Sequence, residues 1–153
     1  MATRVPPALN LAVLCSYVDL DADDRPFSLH EPLYALGIAP DARGKLPAPE
    51  FVLVVQLDDE HAIGTFWFTA EARTASNIVL PNGRLIPQEA TFDGNADPMR
   101  PRDLVFTFRG LVFPEPGRYH FHVMCNHTSL HGRDPISSPP CLRVLPGEAN
   151  SGG

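Results

Sequence analysis

The sequence predicts an all-β protein, an antiparallel β-sandwich of about seven to nine strands. Three observations predict it. Short runs of alternating apolar and polar residues recur along the chain, each bounded by clusters of Pro, Gly, Asn or Asp. The 153 residues include 17 prolines, about twice the usual share, and a proline inside a helix removes a backbone donor and clashes with the preceding turn. The best helical pattern, "TAEARTASN" at residues 69–77, supports one or two turns and nothing longer.

Residues 1–8 read as a loose arm, residues 9–146 as a single β-sandwich domain and residues 147–153 ("GEANSGG") as a flexible tail. "LNLAVLCSYV" opens the domain as a strand with Leu9, Leu11, Val13 and Cys15 on one face. "DLDADDRP" is an acidic turn, and "FSLHEPLYALGI" (27–38) is an extended segment broken at Pro32. After the loop "GKLPAPE" comes "FVLVVQL" (51–57), apolar on both faces and therefore a central strand. "GTFWFTAEAR" alternates, with Phe66, Phe68, Ala70 and Ala72 opposite Thr65, Trp67, Thr69 and Glu71. The pair Asn82-Gly83 signals a hairpin. "DLVFTFRG" places Leu104, Phe106 and Phe108 inward, and "CLRVLP" is the last strand.

"FPEPGRYHFHVMCNHTSLHGR" (113–133) holds four of the six histidines. After a turn at Pro116-Gly117, Tyr119, Phe121, Val123 and Cys125 share the apolar face of one strand. The run Pro-Gly-Arg-Tyr-x-Phe resembles the tyrosine corner of immunoglobulin-like domains, in which a tyrosine hydroxyl ties the loop before the penultimate strand to backbone. The order of strands fits an immunoglobulin-like β-sandwich, without the paired core cysteines of antibody domains. The segments "LYALGI", "FVLVVQL" and "LVFPEPGRYHFHV" also resemble those of an uncharacterised family of small bacterial proteins with an "FPEPGRYxF" segment near the C-terminus. The resemblance covers most of the chain, rests on structural motifs, and implies a cytoplasmic bacterial sandwich with no particular activity.

A net charge of −6 argues against a nucleic-acid partner, because affinity for phosphate is built from clustered positive charge. No apolar run approaches the roughly 18 residues needed to span a bilayer, so no membrane partner is expected. The N-terminal apolar run "LNLAVLC" is short for a secretory signal and is followed by acid. Cys15, Cys125 and Cys141 are odd in number and irregular in spacing, which points to free thiols and a cytoplasmic location. On that basis the sequon Asn126-His127-Thr128 carries no glycan.

His120 and His122 lie side by side on the outward face of their strand, with His127 just beyond, and form the one candidate metal set. Exposed strand histidines are the plainer reading, because zinc needs further ligands and partners that orient them. The acidic run from Asp19 lacks the glycine and glutamate of a calcium-binding EF-hand loop. Ser129 has histidines nearby but no nucleophile elbow, and no phosphate-binding glycine loop is present. No cofactor is therefore expected, and the chain reads as a non-catalytic protein-binding or scaffolding module. The rivals are a small metal-dependent enzyme or carrier built on His120 and His122, and a self-assembling structural protein of phage or bacterial origin joined through an edge strand. The expected interaction face combines Trp67, Glu71, His120, His122 and Arg143, with Thr69 and Met124 among them, since exposed aromatics, Met and Arg mark interface cores.

Overall fold

Alternation of period two dominates the chain, and the computed structural model, which describes residues 4–23, 25–95, 102–132 and 138–147, turns it into strands throughout. In chain order these are β1 (Ala8–Leu20), β2 (Pro26–Pro32), β3 (Ala35–Ile38), β4 (Leu46–Pro47), β5 (Phe51–Asp58), β6 (Ile63–Thr74) and β7 (Val79–Arg84). They are followed by β8 (Gln88–Asp93), β9 (Arg102–Phe108), β10 (Val112–Phe113), β11 (Gly117–Cys125), β12 (Thr128–Ser129) and β13 (Cys141–Pro146). Among the described residues no helix is long and apolar enough to cross a membrane. "TAEARTASN" is the end of β6 and the turn after it.

One sheet runs β2-β1-β5-β9 and a second runs β3-β13-β11-β6-β7, with β8 also on β6, β12 on β11, and β4 paired with β10 apart from both. As expected of a strand apolar on both faces, β5 is interior, between β1 and β9. The two large sheets share one core. Phe51 stacks on Phe108 within the first sheet, at 5.2 Å between ring centroids. Phe121 of the second meets both rings edge-on at 5.6 and 5.3 Å, the geometry that the ring quadrupoles favour. Phe66, Phe68 and Phe92 form a second aromatic group further along β6 and β8. Burying one such side chain contributes about 1.5–3 kcal/mol, so these rings hold the layers together.

The fold departs from the sequence expectations at four points. The segment 27–38 is two strands in different sheets. Glu31 takes a left-handed φ of 53°, and the chain crosses between layers with the Leu33 amide on the Leu14 carbonyl and the Arg143 amide on the Tyr34 carbonyl. β3 then runs parallel to β13, so the second sheet is mixed rather than purely antiparallel. In β1 a register shift between Leu9 and Leu11 moves the inward phase by one residue. Leu14 therefore joins the main core and Leu11 is exposed, while Cys15 packs with Val52 and Val54 in a smaller apolar cluster.

Asn82-Gly83 lies inside β7 and marks a bulge, because the pairing shifts between Glu71–Arg84 and Arg73–Val79. The hairpin itself turns at residues 75–77, where Asn77 has a φ of 69°. Val5 and Ile63 exchange two backbone hydrogen bonds of 2.9 Å, and Arg4 lies over the Phe66 ring. Of the expected tail, Gly147 bonds the Ile38 carbonyl, and residues 148–153 lie outside the described residues.

Candidate functional site

The outer face of the second sheet is set by three strands whose alternation the core fixes. Phe66, Phe68, Ala70 and Ala72 of β6, Tyr119, Phe121, Val123 and Cys125 of β11, and Leu142 and Val144 of β13 are all buried. Their neighbours in sequence must then project outward. These are Trp67, Thr69, Glu71 and Arg73 on β6, Arg118, His120, His122 and Met124 on β11, and Cys141 and Arg143 on β13.

Pairing between strands sets which of these meet. His120 sits between Arg73 and Cys141, His122 is opposite Glu71, Met124 is opposite Thr69, and Arg118 is opposite Arg143. Trp67 is opposite Glu89, and its amide and carbonyl bond the Asn126 side chain and amide. It lies four residues along β6 from Glu71, roughly 13 Å at 3.3 Å per residue. The expected cluster of a tryptophan ringed by histidines is therefore drawn out along the strand, with Trp67 at one end and His120 towards the other. Trp67 is 51% exposed and Arg143 is exposed.

Glu71 and Met124 are not part of the open surface. Glu71, expected to face solvent, is 3% exposed. Arg73 and Arg84 close over its carboxylate, each through Nη2 at 3.3 Å. Arg73 is itself largely enclosed. Its Nη1 donates to Asn77, its Nη2 also reaches the Met124 sulfur at 3.5 Å, and its Nε–H has no partner among the described residues. Arg84 is 65% exposed along its side chain. A cleft of about 260 Å³ opens beside this group, lined by Thr69, Met124 and His127 as well as Glu71, Arg73 and Arg84.

The histidines do other work. The turn at Asn126-His127 has φ of 46° and 71°, the two left-handed residues that a type I′ hairpin requires, and it folds β12 back onto β11. That return brings His131 beneath the strand, where its Nε2 accepts the Val123 amide at 2.9 Å. An amide can only donate, so this nitrogen carries no proton. Ser129 Oγ accepts the His131 amide at 3.2 Å and lies 3.3 Å from His122 Nδ1. The His122 and His131 rings meet edge-on at 5.5 Å. Burial pushes the His122 imidazole down to about 4, with the Arg73 cation foremost among the neighbours that disfavour its protonation and Glu71 opposing them.

His127 lines the cleft while His120 and His122 lie along β11, and among the described residues no three His, Cys, Asp or Glu side chains are gathered as a metal site. The acidic turn is held by Asp21, whose carboxylate accepts the amides of Asp23 and Arg25. Arg73 and Arg84 were not singled out in the sequence. The alternation of β6 marks Arg73 as outward, but only the pairing of β7 with β6 brings Arg84 to the same carboxylate.

The face and core together define an all-β protein whose two large sheets share a core, with a half-exposed tryptophan and an arginine–carboxylate cluster on one of them. No protein-family model matches the chain, and no curated protein matches it.

Proposed function

We propose that this chain is a non-catalytic protein-binding or scaffolding module of immunoglobulin-like build, acting through the outer face of β6, β11 and β13. The observation that carries this reading is Trp67. A large aromatic ring half in solvent on a regular strand, fixed on both backbone sides by Asn126, is a pre-ordered contact of the kind enriched in interface cores. The immunoglobulin-like reading is supported by β11 lying between β13 and β6, and by the Tyr119 hydroxyl bonding the Glu115 carbonyl. Membership of the bacterial family with the "FPEPGRYxF" segment belongs to the same proposal, and free Cys15, Cys125 and Cys141 support a cytoplasmic location.

Two alternatives remain distinct. A metal-dependent enzyme or carrier would use His120 and His122. A base with a value near 4 is weak at neutral pH, so a Ser129–His122 reaction centre is disfavoured. Metal analysis of protein prepared without a histidine tag tests the carrier. Self-assembly through an edge strand is tested by light scattering across a concentration series.

Trp67 is the only tryptophan, so its fluorescence tests the face directly. Ready acrylamide quenching is expected in the free protein, with protection when a partner binds. A blue-shifted, unquenchable Trp67 in the free monomer overturns the proposal.

A further inference from the structure

The chain carries a net charge of −6, yet its charges are not evenly spread. On the part of the second sheet formed by β7, the end of β6, β11 and β13, the outward side chains of the described residues include Arg73, Arg84, Arg118 and Arg143. The one outward carboxylate there is Glu71, and it is buried under two of them. This is a basic surface on an acidic protein, and Trp67, opposite the exposed Glu89, lies further along β6.

The cleft sharpens the point. Arg84 reaches Glu71 through Nη2 alone, at 3.3 and 3.5 Å to its two oxygens, and the rest of its exposed guanidinium faces outward. Arg73 also lines this space, but its unpaired Nε–H is itself buried, so Arg84 is the donor on offer. Its guanidinium fork matches a second carboxylate in two-point geometry. Two arginines shared by one glutamate leave a local positive charge that a further anion would neutralise.

We propose that this face binds an acidic polypeptide segment, with a carboxylate of the partner seated on Arg84 at the cleft over Glu71 and its neighbouring residues running towards Trp67. The inference rests on the proposed binding role of this face and names the partner's chemistry. Roughly four residues of extended chain span the distance between Glu71 and Trp67. Nucleic acid is the less favoured polyanion, because the acidic remainder of the protein repels a long uniform chain of phosphates more than a short acidic segment.

Fluorescence anisotropy with a labelled oligo-glutamate of about twenty residues, at low salt, tests the proposal. Saturable binding is expected, weakening as salt rises and shielding Trp67 from acrylamide. Arg84→Gln should weaken it on the order of tenfold, the loss of one charge-assisted contact. Arg109→Gln removes the same charge from an exposed pair with Glu50 away from this face and should leave binding unchanged. Absence of binding to oligo-glutamate, equal weakening by both variants, or tighter binding of a single-stranded oligodeoxynucleotide of equal charge each overturns it. If Trp67 proves freely quenchable but is not shielded by oligo-glutamate, the acidic-partner inference fails while the binding face itself stands.

Discussion

The Tyr119 hydroxyl donates to the backbone carbonyl of Glu115, four residues upstream, at 2.5 Å. The ring is 3% exposed and lies 4.6 Å from Phe113, so one side chain both fills the core and closes the corner that starts β11. Burial raises the phenol above its ordinary value, opposed by the Glu115 amide, which donates to the phenol oxygen and favours the charged form, and reinforced by the Glu115 charge. Because β11 carries the histidines and pairs with both β6 and β13, the position of the candidate face depends on this corner.

Two substitutions separate the two roles. Tyr119→Phe keeps the packing and loses the hydroxyl's bonds with the Glu115 backbone, at about 0.5–1.5 kcal/mol. Tyr119→Ala leaves a cavity as well and should cost about 3–5 kcal/mol. Urea melts of the two variants check this, and equal small losses would contradict the buried corner.

Much of this was legible in the sequence wherever a strand has one clean apolar face. The inward sets of β6, β9 and β11 follow from alternation alone, and the proline-rich punctuation excluded long helices. What could not be read locally were features set by a partner strand. The bulge near Asn10 shifts the phase of β1, and the crossing at Leu33 and Tyr34 is held by backbone bonds to Leu14 and Arg143, one far along the chain. Asn82-Gly83 has the composition of a hairpin turn but fills a bulge, because the chain has already turned at Asn77. Glu71 looked solvent-facing because alternation gives the face and not its cover. Arg84, from the next strand, supplies that cover.

Gly83 should be intolerant of a side chain. A Cβ there would lie 2.8 Å from the Leu80 carbonyl oxygen and 2.9 Å from that of Ala72. Both are backbone atoms of the bulge and cannot rotate away, so Gly83→Ala should cost about 1–3 kcal/mol. A thermal or urea melt indistinguishable from the parent would show that the bulge yields.

The thiols should divide by burial. Cys15 is fully buried and Cys125 nearly so, and burial raises both thiols above their ordinary value, whereas Cys141 is exposed. Native protein should therefore release about one reactive thiol to a thiol reagent at neutral pH, and denatured, unreduced protein all three. A denatured count of one would establish a disulfide.

Stability should fall with acid through the β11–β12 hairpin. The His122 value of about 4 in the folded protein lies below the ordinary 6.5, so the unfolded chain binds the extra proton first. The contribution is intact above pH 6.5 and is lost progressively as pH falls towards 4. The ring is partly buried, and solvent screening reduces its share to about 1 kcal/mol. His122→Gln can still meet Ser129 but cannot titrate, and its melting temperature should vary less with pH over that window than the parent's. Parallel profiles would assign the acid sensitivity to other groups.

The arginine–carboxylate cluster divides into an enclosed and an open half, and the two should respond differently. The side chains of Glu71 and Arg73 are 4% and 14% exposed, so removing one partner strands the other charge away from water. Glu71→Leu should cost about 3–5 kcal/mol for that reason. Arg84, with two thirds of its side chain in solvent, should contribute no more than about 1 kcal/mol to stability, and Arg84→Gln should fold normally. The double variant Glu71→Leu/Arg73→Met replaces the enclosed pair with apolar groups of similar size and leaves no stranded charge there. It should be more stable than Glu71→Leu alone, because desolvating two ions cancels most of what their attraction contributes. A double-mutant cycle by urea unfolding measures this coupling. Additive losses from the two substitutions would mean that Glu71 and Arg73 do not act on one another, and that the carboxylate is held in place by Arg84 instead.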